Sequence, residues 1–382
     1  MRISRRGEVD PFIVMDVMEA ARQQEANGRH IIHMEVGQPA TGAPKPAIEA
    51  LTTAMQNGPL GYTVALGLPE LRAKIAQLYQ EWYGIDLPAD RVVVTAGSSA
   101  GFLLSFISLF ETGEKVAIGD PGYPSYRNIL KSLGLNPVRI ETGAETRFQP
   151  DPKHLDGLDV QGLLVASPSN PTGTMLDKTA LTALIDACAA RNIGFISDEI
   201  YHGIDYGKRA VSALEISDDV YVINSFSKFF SMTGWRVGWM VVPESHVRRI
   251  ERLSQNLFIC PSHASQIAAL HALDCQDDLQ ENCSVYAANR KILIDGLPKA
   301  GFGSFAPPDG AFYIYADVSD RTENSRELAT QILIEAGVAV TPGLDFDPVR
   351  GHKTLRFSYA GSTDDMIEGV NRLIAWHQKT VS

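Results

Sequence analysis

From about residue 90 onward the chain alternates short β-branched runs with longer helical patterns, and no other feature constrains its fold as much. The runs Val92-Val93-Val94-Thr95, Val116-Ala117-Ile118, Leu163-Leu164-Val165-Ala166, Phe195-Ile196-Ser197 and Val220-Tyr221-Val222-Ile223 read as strands. Helix patterns fall between them, over roughly 99–110, 125–133 and 177–191. Continuous apolar strands separated by helices predict an α/β fold whose mostly parallel sheet is covered on both faces. Gly238-Trp239-Met240-Val241-Val242 follows too closely on the strand before it for a crossover helix, so an antiparallel strand is expected there.

The texture changes after about residue 275. A long helix is expected over 282–297, then strands near 311–315, 338–340 and 354–359 mixed with helices near 326–335 and 364–377. That mixture reads as a smaller α+β domain. A helix near 14–26 and the 31–36 segment are expected to pack on it. The expected division is a large domain over 45–275 and a small one formed by 1–44 and 276–382.

Composition narrows the function classes. Of 382 residues, 45% are hydrophobic and 21% charged, which excludes a disordered or fibrous chain. The net charge of −11 makes nucleic acid and anionic membrane poor partners. Val92 to Phe110 carries no charge, yet Thr95, Gly97, Ser98, Ser99 and Gly101 give it turn chemistry, so a strand, a turn and a buried helix are expected rather than a membrane span. Met1 to Glu8 is charged and lacks the apolar stretch of a secretory signal, so a soluble, cytoplasmic protein is expected. The four cysteines show no Cys-x-x-Cys spacing and read as buried hydrophobes. No metal site is expected: His30 and His33 lack a completing ligand set, and His263 and His271 fall on a helix where local hydrogen bonds suffice.

In an open α/β sheet, ligands gather at the carboxyl ends of the strands. Thr95-Ala96-Gly97-Ser98-Ser99-Ala100 follows a strand and opens a helix, which suits a phosphate but equally a plain helix cap. Ser167-Pro168-Ser169-Asn170-Pro171-Thr172-Gly173 follows the next, with turn chemistry throughout. Then come Ser197-Asp198-Glu199-Ile200-Tyr201, in which Glu199 reads as a helix cap, and Ser225-Phe226-Ser227-Lys228 with Gly234-Trp235-Arg236-Val237-Gly238 behind it. A lysine at a buried strand end is unusual, because an unpaired buried ammonium is costly.

In this order these motifs resemble the pyridoxal-phosphate (PLP) aminotransferases of fold type I, the class I/II group that includes the aspartate aminotransferases. The similarity runs from Gly37-Gln38-Pro39 to Arg356-Phe357-Ser358. It implies a three-layer α/β/α fold with a mostly parallel seven-stranded sheet, PLP as cofactor, and amino acids and 2-oxo acids as substrates of a ping-pong reaction. Lys228 would hold the cofactor aldehyde and shuttle a proton, and Asp198 would keep the pyridine nitrogen protonated. Tyr201 and Asn170 would donate to the phenolic oxygen, and Tyr123 would stack on the ring. Arg236, Ser225, Ser98 and Ser99 would take the phosphate. Arg356 would grip the substrate carboxylate, with the Gly37 backbone and Asn170 beside it. Tyr62 would reach the phosphate of a second copy, which implies a homodimer with shared sites. Two rivals use the same chemistry or the same cofactor: a β-C–S lyase or cyclopropane-forming synthase of this fold, and a non-catalytic PLP-binding regulator. The acidic charge and the lack of a DNA-binding segment speak against the second.

Overall fold

The computed structural model describes residues 1–381. Its central sheet contains β1 (Val92–Thr95), β2 (Lys115–Asp120), β3 (Asn136–Glu141), β4 (Gly162–Ala166), β5 (Gly194–Asp198), β6 (Tyr221–Ser225) and β7 (Gly238–Val241). The seven strands lie in the order β1-β7-β6-β5-β4-β2-β3. All pairings are parallel except those of β7, which runs antiparallel to both β1 and β6, as its short connection requires.

Alternate residues of each strand face opposite layers. Val93, Ile118, Leu164, Ile196, Ile223 and Met240 pack with Phe102 and Phe106 of α2 (Gly97–Leu109) and Leu130 of α3 (Pro124–Leu133). Val94, Leu163, Val165, Phe195, Val222 and Trp239 belong to the other core, with Leu181 and Leu184 of α4 (Lys178–Ala189). Helices on both faces make the expected three-layer α/β/α arrangement. The uncharged stretch 92–110 is β1, a turn and α2, both buried.

Four short strands form an antiparallel sheet later in the chain: β8 (Ser304–Phe305), β9 (Tyr313–Asp317), β10 (Thr341–Pro342) and β11 (Thr354–Ser358), in the order β10-β11-β9-β8. The N-terminal helix α1 (Ile13–Ala26) joins this part: Ala21 and Ile31 cluster with Leu333 and Ala339, and Ile32–His33 pairs in parallel with Val338–Ala339. Several bounds differ from expectation. The 31–36 segment keeps strand pairing only at Ile32–His33, and the helix expected from 282 begins at Gln276 and ends at Gly296.

Candidate active site

Strand ends of the central sheet deliver most of the site. β1 turns into α2 at Gly97, whose φ is 75°, and a Cβ there would run into the Arg236 guanidinium. Glycine adopts this left-handed turn without strain and leaves the guanidinium where it lies. Ser98 and Ser99 occupy the first turn of α2, where free N–H groups and the helix dipole favour an anion. They do not act as a plain cap: the cap position is Ala96, and no side chain bonds the helix start.

β5 ends on Asp198, only 3% exposed. The Tyr126 phenol donates to its carboxylate, and the Ile200 amide donates to its other oxygen at 3.1 Å. Burial nevertheless pushes the carboxyl up to about 6, with Tyr126, Ile200 and Lys228 opposing. Both donors are neutral, so the buried carboxylate gains from a cation set against it. In the turn after β6, the Lys228 ammonium donates to the Gly37 carbonyl at 2.5 Å. Burial pushes it down to about 7, helped by the charges of Arg356 and Arg236 and resisted by Asp198. Near neutral pH this amine therefore exists in both forms, as a nucleophile and proton carrier must.

β11 supplies Arg356 from the far side. Its guanidinium lies between the Tyr313 ring at 4.4 Å and the Phe346 ring at 4.6 Å. Nη1 donates to Asn170 Oδ1 at 3.0 Å and Nη2 to the Glu35 carbonyl, while the buried Nε has no partner. A buried guanidinium with a spare donor suits an anionic ligand. Gly37 lies close by, where a Cβ would collide with the Tyr313 hydroxyl. The Tyr201 and Tyr313 hydroxyls bond each other at 2.7 Å.

Gly37, Ser98, Ser99, Tyr123, Asn170, Asp198, Tyr201, Lys228, Arg236 and Arg356 thus line one cavity of about 600 Å³. Ser225 does not. It sits one layer behind, its hydroxyl donating to Ser227 Oγ at 2.9 Å, and Ser227 is the serine that faces the cavity. Tyr62, expected to serve the site of a second copy rather than this one, is 83% exposed. Glu199 also differs from expectation. It caps no helix of its own but is fully buried, taking hydrogen bonds from Ser212 Oγ at 2.9 Å and the Ala213 amide at 2.8 Å. Burial pushes it up to about 8. Cys188, Cys275 and Cys283 are buried, whereas Cys260 is partly exposed.

Sequence reasoning missed Tyr126, Tyr313, Ser227 and an apolar wall of Phe12, Val14, Met15 and Met18. Tyr126 carried a signal, since it stands three residues after Tyr123 at a helix start and therefore shares its face. The wall carried one too, as Val14, Met15 and Met18 share a helical face.

A three-layer fold with a lysine in the turn after a parallel strand, facing a buried aspartate and a sandwiched arginine, defines the fold-type-I class of PLP enzymes. The chain belongs to the family described as aminotransferase class I and II, whose model matches residues 29–373. It is 44% identical over 381 residues to the valine–pyruvate aminotransferase of Mycobacterium tuberculosis, covering 98% of each chain. It is 32% identical over 368 residues to the aspartate aminotransferase of Pyrococcus horikoshii, covering 94% of this chain and 93% of that one. A crystal structure from Silicibacter pomeroyi superposes with a TM-score of 0.95 at 62% identity, over 99% of this chain and 100% of that one. The protein is an aminotransferase, moving an amino group between an L-amino acid and a 2-oxo acid.

Enzymes of this family use PLP, and the residues here fit it. Buried Asp198, held by two neutral donors, suits a pyridinium, the glycine turn at Gly97 beside Arg236 suits a phosphate, and the Lys228 amine lines the same cavity.

Proposed function

We propose that this chain binds PLP in the cavity around Lys228 and transaminates amino acids with small apolar side chains, pyruvate serving as acceptor. One observation carries the donor class. The cavity's cationic side chains are Lys228, Arg236 and Arg356, and the remaining wall is largely apolar: Phe12, Val14, Met15, Met18, Val36 and Ile200. With Lys228 and Arg236 assigned to the cofactor and Arg356 to the α-carboxylate, no further cation among the described residues of this subunit lines the cavity for a side-chain carboxylate. Burying one against that wall would be costly. The name of the Mycobacterium tuberculosis relative agrees.

PLP, when bound, supplies an aldehyde that joins the amino group and a protonated ring that accepts electrons from Cα. The chain's residues do the rest. Arg356, held flat between Tyr313 and Phe346, fixes the carboxylate and so orients the Cα–H bond. Lys228 Nζ takes that proton and returns it, and its depressed pKa lets it act as a base at neutral pH. Asp198 holds the ring proton, with Tyr126 keeping the carboxylate ionised. Tyr201 and Asn170 would donate to the phenolic oxygen, and the first turn of α2 with Arg236, Ser225 and Ser227 would take the phosphate.

The same reading makes the enzyme a cytoplasmic homodimer with residues 45–275 as the cofactor-binding domain. Tyr62, Val64, Leu257 and Ile259 are exposed, and the bond from the Thr63 amide to Cys260 Sγ at 3.4 Å brings their two segments together. An apolar patch of this kind supports self-association. Four cysteines without a disulfide agree with a reducing compartment, and among the described residues no helix is long and apolar enough to cross a membrane.

The test is a donor panel of valine, alanine and aspartate against pyruvate and 2-oxoglutarate. Valine with pyruvate is expected to exceed aspartate in kcat/KM by at least about tenfold, since a buried unpaired carboxylate is disfavoured. A preference for aspartate would refute the donor class. Ammonia released without an acceptor would favour the lyase instead.

A further inference from the structure

The apolar wall stands on the first turns of α1, and this helix start has no cap of its own. Phe12 occupies the cap position and offers no side-chain acceptor. The acceptor comes from the other end of the chain. Asp345 takes the Ile13 amide on Oδ1 at 3.0 Å and the Val14 amide on Oδ2 at 3.1 Å. Its side chain belongs to a residue with 0% exposure, so this is an interior tether rather than a surface contact. A carboxylate accepting two N–H groups at the positive end of a helix is a strong and directional cap.

Asp345 is itself held firmly. Its carbonyl accepts from Arg127 Nη2 of α3 at 2.8 Å. The carbonyl of Phe346, the next residue, accepts from the Gly122 amide at 3.1 Å, beside Tyr123. Asp347 then bonds Arg139 at 2.9 Å and Arg350 at 2.7 Å. The Phe346 ring also lies against the Arg356 guanidinium. Two consecutive residues outside the cavity therefore support its two ends: Phe346 backs the carboxylate-binding arginine, and Asp345 holds the helix start that carries the apolar wall.

We propose that Asp345 is a positioning residue that sets the spacing between the α1 wall and Arg356, and thereby the donor side-chain length the cavity accepts. This rests on the apolar-donor reading. With the carboxylate on Arg356, the reach of the side chain is set by its carbon count, and a wall free to move would fit neighbouring lengths about equally well. A fixed wall discriminates, because one methylene in a closed apolar site is worth roughly tenfold or more in kcat/KM.

The experiment measures kcat/KM for alanine, 2-aminobutyrate, valine and leucine with pyruvate, in the wild type and in Asp345→Asn. The amide keeps the volume but has one acceptor oxygen, so one of the two tethers is lost. The ratio between the best donor and its worst neighbour in length is expected to fall at least about threefold, which is a fraction of one methylene's discrimination. The fall should come through KM, with kcat for the best donor and the holoenzyme absorption spectrum nearly unchanged. A uniform loss across the series, or an unaltered length profile, overturns the proposal. Met18→Ala should flatten the same ratio, and the double variant should change it by less than the product of the two single effects, because both act on one wall. Multiplicative effects would contradict that. A measurement on the unmodified enzyme covers the case of a variant that does not fold. The amides of Ile13 and Val14, which at an uncapped helix start would exchange rapidly, should exchange slowly with deuterium, and rapid exchange at both refutes the tether. If the wild type prefers aspartate, the apolar-donor reading fails by itself; the Asp345 proposal fails on the length profile and the exchange data.

Discussion

Asp198 illustrates how much a single neighbour can decide. Burial alone drives its carboxyl toward the neutral form, and the Tyr126 phenol and Ile200 amide resist without fully reversing it. Removing the phenol in Tyr126→Phe should raise the Asp198 pKa above its value of about 6, because a donor favours the ionised acceptor. The acid limb of a pH profile of PLP affinity should then move up by about one unit, the size expected for losing one hydrogen bond to a charge. Fluorescence titration of the cofactor-free protein across pH 5–8 would read this, and an unmoved limb would mean that Tyr126 does not act on Asp198. Asp198, Lys228 and Asn170 could be singled out in the sequence because each stands in a short motif of unusual residue types at or just after a strand end, whereas Arg356, inside a strand, was marked only by the family resemblance. For Tyr126 the spacing from Tyr123 marked only the shared face, and its bond to Asp198, 72 residues away, had no local mark. Ser225 and Ser227 show the limit from the other side: the motif puts both near the strand end, and only the folded turn shows Ser227 lining the cavity with the Ser225 hydroxyl bonded to it from behind.

At the level of elements, the β1–α2 turn makes the sharpest claim. Gly97→Ala places a side chain both at φ 75° and against the Arg236 guanidinium. Gly84→Ala is its control, with φ 71° and open space around the new methyl. Both should lose stability by about 1–2 kcal/mol from the left-handed backbone, read as a drop in melting temperature. Gly97→Ala alone should also weaken PLP affinity, measured by equilibrium dialysis. Equal affinities in the two variants would remove the phosphate role from this turn. The alternation that predicted the parallel sheet was legible because each central strand is buried on both faces and reads as an unbroken apolar run. β3 was not, since its sequence Asn-Pro-Val-Arg-Ile-Glu carries a proline and charges, which an edge strand tolerates and a central one does not. The helices Lys45–Gln56 and Pro69–Tyr83 precede the alternating region and begin without a side-chain cap, leaving weaker local signals of where they start. The α1 wall escaped detection for a related reason: its position depends on Asp345, at the opposite end of the chain.

Across the whole molecule, pH and stability are linked through groups far from one another. His33 lies between Glu35 at 2.7 Å and Glu25 at 3.0 Å, and the bond to Glu35 leads in raising its pKa to about 9. Its stabilisation is therefore complete below about 6.5, the ordinary value, and is lost as pH rises through 9. Glu199 acts in the same direction, from an ordinary 4.5 to about 8, because folding buries its neutral form. Lys228 in the cofactor-free protein runs the other way: its depressed pKa destabilises the fold below about 7 and is relieved toward 10.5. Comparison with a variant isolates the first of these. Between pH 6.5 and 9.5 the melting temperature of cofactor-free His33→Gln should fall less steeply than that of the wild type, and parallel curves would show that His33 is not the linked group. The central claim concerns the whole fold, which must bring strand ends and a distant arginine around one amine. The most direct test of it is borohydride reduction of the PLP-loaded enzyme followed by peptide mapping. A single cofactor adduct is expected on the peptide containing Lys228, with none formed in Lys228→Ala. An adduct on any other lysine, or the same labelling in the variant, would contradict it.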